Sequence, residues 1–314
     1  MVGFEGLRGQ GAAIALLDAA LRRDRLAPAY LFAGPPGVGR GIAAQIFSSQ
    51  LLCQHQPPQS HPQIIHKVTA RNHPDFVWVE PTYQHQGKRF TPQEAEAAGL
   101  KRKTPPQIRI EQIREITEFL ARPPLEAVRS VIVLEAAETM AEGAANALLK
   151  TLEEPGRATL ILIAPSPEDL LPTLVSRCQR IPFYRLSQAD LIAVLAPLHS
   201  EITQEPALLN LAQGSPGAAL EAWSQRQTIP DACLALSRDP LKTPKQALLQ
   251  AKTLASDLEP EAQLWLLNYW QQEDWLQRRD SQRLQSFEQA RRALLGYGQP
   301  RLVWECLLLS LLLK

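Results

Sequence analysis

A short apolar run, a glycine-rich turn and a helical stretch follow one another at positions 29–52, AYLFAGPPGVGRGIAAQIFSSQLL. Strand, glycine loop and helix in that order form the frame of a phosphate-binding loop. The frame commits this part of the chain to a buried strand with a helix packed over it. A working loop reads G-x-x-x-x-G-K-[ST]: backbone N–H groups cradle phosphates, the lysine reaches the β- and γ-phosphates, and the hydroxyl holds Mg²⁺. Gly34, Gly37 and Gly39 keep the spacing, but Arg40 stands at the lysine position and Gly41 at the hydroxyl position. A planar guanidinium does not replace a compact ammonium in a tight pocket, and Gly41 has no oxygen to offer a metal. The expectation is a vestigial phosphate loop of Gly34, Gly37, Gly39 and Arg40, with no cofactor and no metal.

A chain of 314 residues buries a substantial core and divides into two or three domains. Its 33 basic and 32 acidic side chains leave a net charge of +1, which argues against a free-standing nucleic-acid binder with a dominant basic field but leaves room for a small DNA-facing patch. Cys53, Cys178, Cys233 and Cys306 are too sparse for a disulfide scaffold or a short-spaced metal cluster. No apolar run approaches the roughly 18 residues of a membrane span, and MVGFEGLRGQ lacks a charged start followed by an apolar core. The expected location is the cytoplasm, with no membrane partner.

Along the chain, AAIALLDAALRR at 12–23 has helical apolar spacing, Ala29–Ala33 reads as a strand, and a helix runs from about Gly39 through Leu52. Between Gln54 and Pro106, rich in Gln, His and Pro, FVWVEP at 76–81 is the one convincing strand. Lys88, Arg89, Lys101, Arg102 and Lys103 make this segment locally basic; a solvated loop is the simpler reading and a DNA contact the alternative. Cys53 with His55, His61 and His66 has no recognised zinc spacing. From Ile108 regularity returns: a helix with apolar positions 108, 110, 113, 116, 119 and 120, a strand at 130–134, the helix AEGAANALLKTLEEP, and a strand at 159–165. Strands alternating with helices predict an α/β fold with a parallel sheet covered on both faces. Beyond about Ser187 the strands disappear; 187–225 reads as a small helical unit and the remainder as helix, ending in an apolar stretch fit for burial against partner helices. Trp265, Trp270 and Trp275 cannot share one helical stripe, and core packing accounts for most of these aromatics.

Six short motifs stand in register: FEGLRGQ at 4–10, the loop at 31–44, HPDF at 73–76, IRIEQIRE at 108–115, AANALLKTLEEP at 144–155 and LPTLVSRCQRIPF at 171–183. Together they resemble the delta-prime subunits of the bacterial DNA polymerase III clamp loader, a branch of the AAA+ family; Ser176-Arg177-Cys178 is especially characteristic. The resemblance implies an AAA+ phosphate-loop domain over 1–185 with a degenerate nucleotide site, a small helical lid over 186–227, and an all-helical collar over 228–314.

It also implies roles. Glu135-Ala136 stands where an active ATPase presents Asp-Glu, so no carboxylate polarises the attacking water. The γ-phosphate sensor falls near Ala164 and the lid's sensing arginine near Ala218. Phosphoryl transfer depends on such fixed charges, and losing them together makes intrinsic hydrolysis improbable. Arg177, alone a candidate for a surface ion pair, is by resemblance an arginine finger acting in trans on a neighbouring ATPase subunit; Ser176 and Cys178 shape its loop, Cys178 as a small buried residue rather than a nucleophile. His73 is expected to be structural. Asn146, Lys150, Glu153 and Glu154 lie on a helix that the resemblance turns to the inside of the loader, toward DNA or a neighbour, and Lys150 with Glu154 makes a local i,i+4 pair. The implied partners are the gamma/tau ATPase subunits, the delta subunit, the sliding clamp and primed DNA, in a hetero-pentamer at the replisome whose stator is this chain. The alternatives are an active gamma/tau-like motor subunit, a stand-alone AAA+ nucleic-acid-binding protein, or an unrelated metabolic phosphate-loop enzyme.

Overall fold

The computed structural model describes residues 3–100, 104–236 and 241–312; Lys101, Arg102 and Lys103 of the basic segment lie outside the described residues. The chain divides into two compact units, Met1–Leu186 and Ser187–Lys314.

The first unit is built on a five-stranded parallel sheet of β1 (Ala29–Ala33), β2 (Phe76–Val79), β5 (Ser130–Leu134), β6 (Ala158–Ala164) and β7 (Gln179–Pro182), ordered β2-β5-β6-β1-β7. The central strands β5 and β6 are buried along their whole length, as expected for strands covered on both faces. Alternation assigns the faces. Leu31, Ile132, Leu134, Leu160 and Leu162 pack with Ile113 and Ile116 of α5 (Ile110–Leu120), Leu148 and Leu152 of α6 (Glu142–Glu153) and Leu174 of α7 (Pro172–Val175). On the opposite face the Tyr30 and Phe32 rings lie 5.1 and 6.4 Å from the Phe47 ring of α2 (Arg40–Cys53). The helix α1 (Gly11–Arg22) precedes β1, and Gln10 ties its start to the sheet edge by donating to the Tyr184 carbonyl and accepting from the Tyr184 N–H. Because β1 lies between β6 and β7 while the chain returns to β2 at the far edge, the loop after β1 occupies a topological switch point, where open parallel sheets present ligand sites.

The segment 54–106 holds more regular structure than its composition suggests. It contains α3 (His61–Thr69), the antiparallel pair β3 (Tyr83–His85) and β4 (Lys88–Phe90), and α4 (Pro92–Ala97), besides β2. Gln86 and Gly87 take φ 49° and 78°, the positive values a two-residue hairpin turn requires. Thr91 and Glu94 form a capping box for α4. Ile108, expected inside a helix, precedes α5 as a fully buried bridge partner of Met140. Helix α5 begins later because Gln112 turns back to accept from the Arg109 N–H and donates to the Glu80 carbonyl.

In HPDF the buried Asp75 is the organising residue: its carboxylate accepts from the backbone N–H groups of Leu125 (2.6 Å), Glu126 (2.8 Å) and Ala127 (2.7 Å). His73 Nδ1 accepts from the Asp75 N–H, and the ring is buried, as a structural histidine should be. Replacing Asp75 by alanine removes three charge-assisted bonds. The expected cost is about 2–3 kcal/mol, with water recovering part of the loss at the exposed loop; a thermal unfolding midpoint unchanged from the natural chain would contradict this.

The second unit contains α8 (Gln188–Leu195), α9 (Pro206–Ala212), α10 (Pro216–Thr228), α11 (Asp231–Ala235), α12 (Pro244–Asp257), α13 (Pro260–Arg278), α14 (Ser281–Leu295) and α15 (Pro300–Leu312). Gln213 and Gly214, both at positive φ, end α9, and the Ser215 hydroxyl caps α10. The Trp270 and Trp304 rings meet edge to face at 5.3 Å; their N–H groups donate to the Cys233 carbonyl and to Gln263. Trp265 stacks on Tyr269, whereas Trp275 is exposed. The stretches expected as lid and collar lie within this one unit, α9 packing on α13. No helix among the described residues is long and apolar enough to cross a membrane.

Candidate functional site

The glycine loop joins β1 to α2 as expected, and the packing explains why its glycines are needed. A Cβ on Gly34 would come within 2.3 Å of the carbonyl oxygen of Phe183, which follows β7 alongside β1 and donates its N–H to the Ala33 carbonyl. Gly39 sits at φ 103°, and a Cβ there would approach Leu7 to 2.7 Å. Gly34 is therefore demanded by the neighbouring backbone and Gly39 by its own left-handed φ, whether or not a phosphate binds. Gly41 is different: a side chain there would meet open space, so its missing hydroxyl is not forced by the fold.

Arg40 opens α2. Burial lowers its pKa, opposed by the negative charges of Glu138 and Glu135. Burial likewise raises the Glu138 pKa, opposed chiefly by a backbone hydrogen bond and then by Arg40. The Arg40 guanidinium thus lies within the field of acids of its own chain. One buried nitrogen of Arg40 and one buried oxygen of Glu138 have no hydrogen-bond partner, so these groups interact through space without making a bonded pair.

Glu135 is held elsewhere. Trp78 Nε1 donates to Glu135 Oε2 at 2.8 Å, Arg71 Nη2 stands 4.0 Å from the same oxygen, and the Arg71 guanidinium lies 4.6 Å over the Trp78 ring while also pairing with Glu80. Glu135 is therefore engaged by a tryptophan and an arginine. Sequence reasoning missed both, since nothing in the spacing of positions 71, 78 and 135 joins them. Ala136 follows in a left-handed conformation at φ 49°, without a carboxylate. Ala164 ends β6 opposite Ala33, fully buried, its carbonyl accepting from the Gly34 N–H at 3.3 Å; the sensor position touches the loop but is apolar. Ala218 lies in α10 of the second unit, where its N–H is capped by Ser215.

These residues do not fit a magnesium–nucleotide. The metal hydroxyl is missing, the candidate metal acid is bonded to Trp78, and the next residue, Ala136, has no carboxylate to orient water. Exchanging Arg40→Lys and Gly41→Thr together restores two loop positions without a steric obstacle. We expect that variant to fold but to release no phosphate from ATP above background. Steady release by the isolated double variant would contradict the assignment of Ala136 and the Trp78-bound Glu135 as sufficient blocks.

Arg177 lies just beyond α7, half-exposed. Its Nη2 donates to Glu153 Oε1 at 2.6 Å and its Nη1 to the Thr173 carbonyl at 3.0 Å. Glu153 is the last residue of α6, so the ion pair joins the end of that helix to the Ser-Arg-Cys segment. The expected Lys150–Glu154 pair does not form: α6 stops at Glu153, Glu154 turns out of the helix at φ −130°, and the neighbouring acid is taken by Arg177. Asn146 and Lys150 are exposed on α6. Burial pushes the Cys178 thiol up to about 11, which keeps it protonated and unreactive. Lys88 is exposed, and Arg89 pairs with Glu115 at 2.6 Å. No group of three His, Cys, Asp or Glu residues fit to hold a metal occurs among the described residues.

With this geometry in hand, comparison with known proteins is specific. Residues 9–187 match the family model described as DNA polymerase III, delta subunit, and residues 189–311 match that of the cyanobacterial DNA polymerase III delta prime C-terminal domain. The chain is 35% identical to the DNA polymerase III subunit delta' of Pseudomonas aeruginosa, over 65% of this chain and 58% of that protein. It is 32% identical to the subunit delta' of Escherichia coli, over 67% of this chain and 59% of that protein. The matches thus span a little over half the length of these two relatives. A 27% identical match to the tau subunit of Bacillus subtilis covers 60% of this chain and 30% of that protein. Among solved structures, a DNA polymerase III gamma subunit-related protein from Thermotoga maritima aligns over 95% of this chain and 99% of that one, with a TM-score of 0.50 and 15% identity, a likeness of fold alone. The parallel sheet with its loop at the switch point, the helical second unit and the two family matches agree: the chain belongs to the DNA polymerase III delta-prime family of clamp-loader subunits, with an AAA+ fold.

Proposed function

We propose that this chain is a non-hydrolysing subunit of a replicative clamp loader, a stator that completes the ATP site of a neighbouring motor subunit with Arg177. The observation carrying this reading is an asymmetry between two sites of one unit. The chain's own loop lacks the lysine, the hydroxyl and the water-orienting acid, while the half-exposed Arg177 follows a short helix, just beyond its C-cap Ser176. A guanidinium presents five donors in a fixed fork, and the contacts with Glu153 and Thr173 use two of them. Positive charge so placed stabilises the charge that develops on a transferring phosphoryl group.

The chain would work beside gamma/tau ATPase subunits and the delta subunit in a hetero-pentamer that places a sliding clamp on primed DNA. Residues 186–227 would serve as the lid and 228–314 as the collar that holds the assembly. The exposed Leu249, Leu295 and Leu302 of the second unit suit such helix-to-helix contacts. The test is the ATPase rate of the reconstituted loader with natural chain or Arg177→Ala at equal assembly. An unchanged rate would remove the catalytic part of the proposal.

A further inference from the structure

We infer that Glu153 is the positioning residue for Arg177, holding its guanidinium in the orientation used on the neighbour's nucleotide; this rests on the trans-acting role proposed above. Arg177 has four side-chain torsions and an exposed location, so unrestrained it would spread over many rotamers, and that freedom would be lost again at each turnover. The structure restrains it at two separate nitrogens. Glu153 Oε1 receives Nη2 at 2.6 Å and the Thr173 carbonyl receives Nη1 at 3.0 Å.

The two anchors come from different elements, the last residue of α6 and the second residue of α7, so they fix the plane of the guanidinium as well as its place. Position alone fits stability poorly as an explanation. Both side chains are substantially exposed, 37% for Arg177 and 51% for Glu153, and exposed ion pairs add little to folding. Preorganising a charge where it will be used, in contrast, lowers the barrier because no reorientation is left for the reactive moment. The same pair explains why Glu153 turns toward Arg177 while Lys150, one helical turn back, stays exposed and without an ion pair to Glu154.

The test uses the assembled loader with Glu153→Ala, Glu153→Gln, Arg177→Ala and the double variant Glu153→Ala/Arg177→Ala. Glu153→Ala should lower kcat roughly 3- to 10-fold with little change in KM for ATP, since only transition-state positioning is lost. Glu153→Gln retains an oxygen acceptor and should recover most of the rate. In the Arg177→Ala background, Glu153→Ala should cost nothing further, and the thermal midpoint of the isolated chain should stay within about 1 °C of natural, as expected of an exposed pair. A natural rate for Glu153→Ala beside a slow Arg177→Ala would overturn the positioning role alone. A faster rate for Glu153→Ala would also overturn it, making the pair a restraint. If Arg177→Ala itself is as fast as the natural chain, the trans-acting role falls and this inference with it.

Discussion

On the trans-acting role proposed for Arg177, Arg177→Ala is expected to slow hydrolysis at the neighbouring subunit's ATP site by about 10³-fold or more, the range set by arginine fingers in other phosphoryl-transfer systems. In barrier terms this is roughly 4 kcal/mol. The effect should appear in kcat with KM for ATP little changed, because the guanidinium acts on charge that exists only in the transition state. The steady-state rate of the whole assembly will fall by this amount only if its sites fire in concert; if they fire independently, it falls by the share of one site. Arg177→Lys should recover only part of the loss. A lysine keeps the charge but lacks the planar fork, and a compact ammonium cannot span both Glu153 and the Thr173 carbonyl as two guanidinium nitrogens do. A loader carrying Arg177→Ala that hydrolyses ATP at the natural single-turnover rate would contradict the assignment.

The second large effect concerns the helical unit. Asp274, buried in α13, accepts from Arg283 Nη2 at 2.7 Å and from its Nε at 3.0 Å, and from Arg278 at 3.0 Å. Arg283 also donates to the Leu311 carbonyl near the end of α15. One carboxylate thereby ties α14 to α13, and through Arg283 both are tied to α15. Asp274→Ala leaves the buried Arg283 charge uncompensated, at an expected cost of about 3–5 kcal/mol. Replacing Asp274 and Arg283 together by apolar residues of similar volume should cost much less, since the desolvated charge disappears with its partner. The measurement is urea unfolding of the isolated chain followed by tryptophan fluorescence, for which Trp270 and Trp304 lie in the same unit. A midpoint for Asp274→Ala equal to that of the natural chain would show that the pair has no net role. If the collar reading holds, Asp274→Ala should also weaken assembly with the other subunits.

Much of the first unit was legible because its signals are local. An uninterrupted apolar run ending in a glycine turn marked β1 at its observed limits, Ala29–Ala33, and β5 and β6 read as buried strands for the same reason. The hairpin β3–β4 was not legible: Gln84, His85, Lys88 and Arg89 supply no apolar alternation, and the pair is set by the Gln86-Gly87 turn. Helix α3 carries only Ile64 and Val68 as buried contacts amid Gln, His and Pro, too weak a stripe to stand out. At the candidate site, the missing lysine, hydroxyl and second acid were visible as letters. That Trp78 and Arg71 engage Glu135, or that Glu153 rather than Glu154 meets a cation, depends on tertiary contacts between residues 24 to 64 positions apart. The Lys150–Glu154 expectation failed because helical spacing was assumed one residue past the end of α6.

The most direct measurement is single-turnover ATP hydrolysis by the reconstituted loader across four assemblies: natural, Arg177→Ala, a motor neighbour with its phosphate-loop lysine replaced, and both changes together. If Arg177 completes that neighbour's site, each single change removes the same hydrolytic phase and the combination removes nothing more. Two separate and additive losses, or a phase untouched by Arg177→Ala, would contradict the claim that this chain lends its arginine to a site it does not itself possess.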